Sequence, residues 1–279
     1  MDDFARRDAL GVAHPIAGPG ARIVSLVPSL TELLFALGLG SNVVGRTGFC
    51  IHPRASVRAV PKVGGTKDVA VDKVLALAPT HLIVNIDENR RETVDSLAAK
   101  IAHVVATHPL TPDDNVPLYR MFGAIFGRTD EASALERRYV AARDTLVAAV
   151  SALPEEIVLY LIWRNPWYTV ARSTYVSAML GLARWRTVPA VSVPRYPTLA
   201  EDAPAWREAE RILLSTEPFS FKEEDVGTLA AGLAARGRRV PVTLIDGAMT
   251  SWYGSRAIAG LDYLAKMRRS LPRETGGAA

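Results

Sequence analysis

Two potential metal ligands lie two positions apart in one segment of the chain, Cys50 and His52. Thiolate and imidazole are good ligands for soft and borderline metals. His52 alone would also suit the axial position of a metal already held in a macrocycle. The pair falls short of a zinc signature, which needs three or four ligands at recognisable spacing. A buried small thiol and a hydrogen-bonded loop histidine are the alternative, so spacing leaves a metal role open.

The same two residues could also supply the nucleophile and the base of an enzyme. The sequence indicates no acidic third member. It also contains neither a Gly-x-Ser-x-Gly elbow nor a His-Glu-x-x-His motif. We therefore expect a protein that is not an enzyme, and keep a cytoplasmic Cys/His-dependent enzyme as the alternative from another class.

Aromatic side chains are unevenly distributed. They make up only 7% of the chain, yet five of them fall in two short segments: Trp163, Trp167, Tyr168, Trp252 and Tyr253. Large flat rings beside a cleft suit a bulky, flat or apolar ligand. The alternative is that these rings complete the core of the second half. Taken together, the five rings favour a position beside a ligand cleft over a role in the core.

Other candidate ligand contacts follow predicted strands or lie elsewhere in the same halves of the chain. They are Pro28, Ser29, Arg46, Phe49, Gly65, Thr66, Lys67, Arg164, Arg195 and Tyr196. The arginines could meet carboxylates or phosphates by forked hydrogen bonds. The glycine pair before Thr66 lacks the dinucleotide and P-loop patterns, so it predicts a tight turn.

Short apolar runs predict the strands that would position these residues. The runs are 22–27, 43–46, 81–85, 104–107, 157–162, 211–215 and 242–246, and helices are predicted near 71–77 and over 256–268. Alternation of strand and helix implies a parallel sheet. Ligands bind beyond the carboxyl ends of such strands, which makes the loops that follow them the candidates. Ser29 and Glu32 have capping-box spacing before a helix that Gly38 would end.

The middle of the chain differs from both halves. Residues 129–153 are rich in helix formers, and a helix of about 25 residues would be roughly 37 Å long. The predicted fold class is α/β, with two parallel-sheet lobes joined by a single long backbone helix and a ligand cleft between the lobes. The predicted divisions are a flexible leader (1–20), an N-terminal lobe (21–128), the linking helix (129–153), a C-terminal lobe (154–270) and a disordered tail (271–279).

Composition excludes several classes of function. With 33 basic and 29 acidic residues the net charge is only +4, too small and scattered for nucleic acid. No apolar run approaches the roughly 20 residues that cross a bilayer. The first residues are charged and lack the apolar core of a secretory signal. A single cysteine forms no intramolecular disulfide, which fits a reducing compartment. These features predict a cytoplasmic protein, or an exported one whose signal is absent.

Four segments carry a family resemblance: 22–32, 43–46, 63–67 and 74–84. They resemble the helical-backbone, or class III, substrate-binding proteins of ABC transporters. Within that class the chain is most similar to the cobalamin-binding branch and its helical backbone metal receptor relatives. The resemblance extends over most of residues 22–265 and is stronger in the first lobe.

The resemblance implies a passive, monomeric binding protein in the periplasm, with a partner ABC permease and no intrinsic cofactor. The implied ligand is cobalamin or another corrinoid, with ferric siderophore, haem or a metal ion as the alternative. Permease docking would use one acidic residue on each lobe. The matching positions are Asp72 in the first lobe and Glu201 or Asp202 in the second. Solvated helix ends are the alternative for all three.

Overall fold

The computed structural model describes residues 3–271, which form two compact units. The first lobe comprises residues 3–109, Asp113–Tyr139 and Tyr253–Arg256. The second lobe comprises Leu110–Pro112, Val140–Trp252 and residues 257–271. The segment that begins at Tyr253 therefore belongs to the first lobe, although its place in the sequence predicts the second.

The first lobe contains a parallel sheet with the strand order β2-β1-β3-β4. Its strands are β1 (Ile23–Ser25), β2 (Val43–Arg46), β3 (His81–Asn85) and β4 (His103–Thr107). Its α-helices are α1 (Pro28–Ala36), α2 (Arg54–Val57), α3 (Val71–Ala76), α4 (Arg91–Ala98) and α5 (Asn115–Phe126), with 3-10 turns at Asp3–Arg6 and Gly40–Asn42. Every residue of β1 and β3 is buried. Burial of both faces explains why these strands are continuous apolar runs instead of alternating patterns.

Helix α1 shows how one prediction was half right. Gly38, with φ of +74°, ends the helix as predicted. The predicted capping box does not form, because the N-cap is Val27 and makes no side-chain hydrogen bond. Pro28 starts the helix in its place. Glu32 instead accepts two hydrogen bonds of 2.7 Å from Arg256.

The N-terminal segment is packed against β4, whereas the sequence predicts a flexible leader. Asp8 is 7% exposed and accepts hydrogen bonds from His14 (3.1 Å) and from the main chain of Ala106 (3.1 Å). The main-chain N–H of Ala9 donates to the carbonyl of Ala106. The two contacts with Ala106 join residues nearly a hundred positions apart, so no local pattern in the sequence could predict them. The predicted tail lies outside the described residues, apart from Leu271.

The predicted long helix is α6 (Thr129–Val150), three residues shorter at its C-terminal end than expected. Its 22 residues correspond to about 33 Å. The division between the two lobes falls within it, between Tyr139 and Val140.

The second lobe contains a mixed sheet with the order β10-β9-β5-β6-β8, and β7 pairs with β5. Its strands are β5 (Glu156–Trp163), β6 (Trp167–Thr169), β7 (Trp185–Thr187), β8 (Thr198–Leu199), β9 (Arg211–Ser215) and β10 (Val242–Ile245). Its helices are α7 (Tyr175–Leu182), α8 (Pro204–Glu208), α9 (Glu223–Ala235), α10 (Gly247–Ser251) and α11 (Arg256–Ser270). Strands β5, β7, β9 and β10 are parallel, whereas β6 and β8 pair antiparallel. Of these strands the sequence predicts β5, β9 and β10, and it does not predict the short β6, β7 and β8.

Candidate ligand-binding site

The loop after β2 exposes apolar side chains and encloses its cysteine. Phe49 is 63% exposed and Ile51 is 45% exposed, while Cys50 between them is fully buried. A Cβ added at Gly65 would lie 3.4 Å from the Phe49 ring, so the glycine allows this close approach. Exposed apolar side chains at the carboxyl end of a parallel strand are suited to contact a ligand.

Cys50 is surrounded by hydroxyl groups. Its sulfur lies 3.1 Å from both Thr31 Oγ1 and Thr47 Oγ1. Burial raises the pKa of the Cys50 thiol, although the two threonine hydrogen bonds act in the opposite direction. A thiol kept protonated is a poor metal ligand and a poor nucleophile. Within residues 3–271 no group of three or more His, Cys, Asp or Glu is placed to hold a metal ion. The surroundings favour the structural alternative for Cys50.

Arg46 is engaged with its own lobe, contrary to the predicted ligand contact. It is 4% exposed. Its Nε donates to the carbonyl of Val57 (2.9 Å) and its Nη1 to that of Thr47 (3.1 Å). A buried guanidinium whose donors bind main-chain carbonyls holds the loop in place.

A polar cluster lies at the carboxyl ends of β3 and β4. The Tyr253 hydroxyl donates to Glu88 Oε1 (2.6 Å), across 165 residues. Burial raises the pKa of Glu88, and burial together with the Glu88 charge raises the pKa of Tyr253. Lys67 donates to the Asp87 carbonyl (2.9 Å), and His108 Nε2 lies 3.3 Å from Asp87 Oδ2.

Three residues of this cluster are not among the site residues predicted from the sequence: Asp87, Glu88 and His108. Asp87 and Glu88 follow β3, and His108 follows β4 directly. The rule that ligands bind beyond strand ends would have selected them. The neighbouring Thr66 is held in place by Asn89, whose Nδ2 donates to its carbonyl (3.0 Å). The remaining predicted residues nearby are Ser29, which is buried, and Pro28, which begins α1.

The predicted aromatic set in the second lobe divides into exposed and buried rings. Trp163 is 41% exposed at the end of β5, edge-to-face with Phe219 at 5.4 Å between centroids. Trp167 is partly buried, stacked on Phe221 (6.2 Å) and edge-to-face with Trp206 (5.6 Å). The alternative of a core role therefore describes Trp167 better than Trp163.

Trp252 and Tyr168 are half-buried and Tyr196 is 40% exposed. The Trp252 indole donates to Glu217 (2.9 Å). Tyr168 pairs with Trp163 across the antiparallel strands. Arg195 accepts a main-chain hydrogen bond of 2.8 Å from Ala171 through its carbonyl.

Arg164 is partly neutralised where the sequence predicts an anion-binding arginine. Its Nη1 lies 2.5 Å from Asp225, whose side chain is 9% exposed. Its guanidinium carbon also lies 5.0 Å from the centre of the Phe219 ring. Both contacts lie beside a cavity of about 820 Å³ in the second lobe, which Arg164 and Trp167 help to line.

The predicted docking carboxylates are exposed in their own lobes. Asp72 is in the first turn of α3. Glu201 forms an ion pair with Arg236 (3.0 Å), and Asp202 is exposed beside it. No helix within residues 3–271 combines the length and the apolar character that crossing a membrane requires.

The chain is similar in sequence and in fold to known binding proteins. Residues 23–216 match the family model described as periplasmic binding protein. A vitamin B12-binding protein of Photorhabdus laumondii is 22% identical over 205 residues, which cover 73% of this chain and 74% of that one. The confirmed fold class, two-lobed α/β, is shared with solved structures at low identity.

Two of those structures illustrate the likeness. The periplasmic vitamin B12 binding protein BtuF of Vibrio cholerae matches with a TM-score of 0.78 at 16% identity, covering 91% of this chain and 99% of that one. A periplasmic heme binding protein from Pseudomonas aeruginosa matches with a TM-score of 0.74 at 24% identity, covering 90% and 94%. At these identities the likeness shows the fold alone.

Proposed function

Because the chain belongs to the periplasmic binding protein family, we propose that it binds cobalamin or another corrinoid for ABC-type uptake. Relatives are vitamin B12-binding and heme-binding proteins by their names. A binding protein of this kind performs no chemistry on its ligand. Its work is to present a rigid, preformed surface that lowers the ordering cost of binding.

The observation that carries the proposal is the exposure of Phe49 and Trp163. Phe49 lies just beyond β2 and Trp163 is the last residue of β5, and each exposes a large apolar surface, 63% and 41%. A flat macrocycle would cover such rings and remove apolar area from water. The polar cluster of Lys67, Glu88 and Tyr253 supports the same ligand class, because the amide side chains of a corrin need donors and acceptors.

Isothermal titration with cyanocobalamin tests the proposal. The variants Phe49→Ala and Trp163→Ala should each weaken binding about 5- to 150-fold, which corresponds to 1–3 kcal/mol for a buried aromatic anchor. Val147→Ala is the matched control, since Val147 is 46% exposed and belongs to α6, not to a segment that ends or follows a strand. Absence of binding by a corrinoid panel at micromolar concentration would end the corrinoid proposal.

Haem is the second candidate, favoured by the position of His52. This histidine follows exposed Phe49 and Ile51 on the same loop, and imidazole is a common axial ligand of haem iron. Visible spectra after mixing with hemin separate the candidates, because axial ligation shifts the absorption bands. The haem proposal expects a shifted spectrum in the wild type and its loss in His52→Ala. Ferric siderophores and bare metal ions belong in the same panel.

The partner proposed for uptake is an ABC permease docked by acidic residues. Asp72 on one lobe and Glu201 or Asp202 on the other are exposed carboxylates, and a periplasmic location follows from the same proposal. In a reconstituted cobalamin permease, Asp72→Asn should lower stimulation of ATP hydrolysis, whereas Asp95→Asn on α4 should not. Equal stimulation by both variants would remove Asp72 from docking.

A further inference from the structure

Beyond the proposed function, we propose that the second lobe has a separate site for a small amphipathic anion, an apolar carboxylate. The site is the cavity of about 820 Å³ between the sheet and helices α8 and α9. Small-molecule sites commonly measure about 300–1,000 Å³. Its lining residues all belong to the second lobe, so the site is complete within one compact unit.

The cavity extends along the strands, from the turn between β5 and β6 at their carboxyl ends to their amino ends. Arg164 lines it just after β5 ends, and Arg238 lines it shortly before β10 begins. Arg238 also donates to the carbonyl of Ala209, which lies just before β9. The part around Arg238 therefore lies at the amino ends of the strands, opposite to the loops proposed for the corrinoid.

Three aromatic rings make the wall of the cavity apolar and rigid: Trp167, Trp206 and Phe221. Trp167 stacks on Phe221 with an interplanar angle of 11° and meets Trp206 edge-to-face at 79°. The Trp206 indole nitrogen is already satisfied, because it donates to the Ala200 carbonyl (2.9 Å). With their packing fixed, these rings give an apolar ligand contact area at low entropic cost.

The charges along the cavity do not balance. Four arginines and two carboxylates line it. Both carboxylates are already paired, Asp225 with Arg164 and Glu201 with Arg236. Arg207 and Arg238 therefore remain without an acidic partner among residues 3–271.

Arg238 shows the consequence of that imbalance. Its Nε is buried and makes no hydrogen bond within the described part of the chain. Burial lowers the pKa of its guanidinium. A buried donor without an acceptor is costly, and the partly buried guanidinium has no acidic partner among residues 3–271. A carboxylate in the cavity would supply the acceptor and the counter-charge together, while its apolar part contacted the aromatic wall.

Calorimetric titration with decanoate tests the site, with decanol as the neutral ligand of equal length. We expect saturable one-to-one binding of decanoate, and binding of decanol at least tenfold weaker. Arg238→Gln should weaken decanoate binding about tenfold or more, as loss of a charge-assisted hydrogen bond does. Arg239→Gln is the matched control, because Arg239 is the exposed neighbour of Arg238 and does not line the cavity.

A steric variant keeps the test valid if the arginine variant folds poorly. Gly232 lines the cavity on α9, and a Cβ added there meets no atom within 4 Å. Gly232→Leu should abolish decanoate binding without loss of thermal stability, since leucine favours a helix more than glycine does. Gly227→Leu, on the same helix but outside the cavity, should bind normally.

Three results would overturn the proposal: no saturable decanoate binding by the wild type, equal affinity for decanol, or equal losses in the variants and their controls. Corrinoid affinity is measured on the same variants. Unchanged corrinoid affinity in Gly232→Leu supports two separate sites, whereas its loss together with decanoate binding contradicts them. Failure of the corrinoid proposal leaves the decanoate result unaffected.

Discussion

His81 should make the first lobe less stable in mild acid. Its ring is 3% exposed and stacks on His103, with centroids 4.8 Å apart. Nδ1 lies 2.8 Å from Thr80 Oγ1, and Nε2 is buried without a hydrogen-bond partner in the described residues. Burial, and then the charges of His103 and His14, lower the pKa of His81 from 6.5 to about 4.

The sign and size of the effect follow from that difference. Below pH 6.5 the unfolded chain takes up a proton at this residue, while the folded chain does so only near pH 4. Stability therefore decreases as pH falls through this window and is unaffected by His81 above it. For these two pKa values, the free energy of unfolding should fall by about 2 kcal/mol between about pH 7.5 and about pH 5. Asp8, whose pKa is lowered below 3.8, titrates outside this range.

The variant His81→Leu removes the titrating group and tests the prediction. Urea unfolding followed by circular dichroism, at both pH values, should show that about 2 kcal/mol of the wild type's pH dependence has disappeared. His52→Gln, at a partly exposed histidine, is the control and should keep the full dependence. NMR titration of the His81 ring should give a midpoint near 4. An unchanged pH dependence in His81→Leu, or a midpoint near 6.5, would refute the reasoning.

Three further predictions concern single contacts in the first lobe. Cys50, buried and with a raised pKa, should resist alkylation by iodoacetamide at mildly alkaline pH and react in denaturant; rapid labelling of the folded protein would contradict its burial. Arg256→Met should cost about 2 kcal/mol in urea unfolding, because it removes two 2.7 Å hydrogen bonds to Glu32, and the double variant with Glu32→Gln should recover part of that loss. Gly64→Ala should cost more than about 1 kcal/mol, since φ is +105° and the new Cβ would lie 2.4 Å from a main-chain oxygen; a neutral effect would refute this geometry.

The elements that could be predicted are those whose local pattern agrees with their surroundings. The buried parallel strands β1, β3 and β9 are apolar runs because both of their faces are covered. Helix α6 follows from helix-forming composition over many residues. The short strands β6, β7 and β8 could not be predicted, since two or three residues carry no measurable period.

Some residues of the candidate site could likewise be predicted from the sequence and others could not. Position after a strand identified Phe49 and Trp163, which are exposed. It also selected Arg46, which is enclosed by main-chain carbonyls, and Trp167, which packs beside Trp206. Position in the chain places a residue at a strand end. The direction of its side chain depends on neighbours distant in sequence, which no local pattern contains.

The sequence by itself determined the α/β alternation, the long central helix and the family, because these depend on apolar periodicity, helix propensity and motif order along the chain. Tertiary structure alone decided which side chains are accessible. In the folded chain Tyr253 donates a hydrogen bond to Glu88, 165 residues away in the sequence. Folding also leaves Arg238 in the second lobe without an acidic partner within residues 3–271. The physical reason is that burial and charge balance are sums over neighbours in space, and folding brings those neighbours from anywhere in the chain.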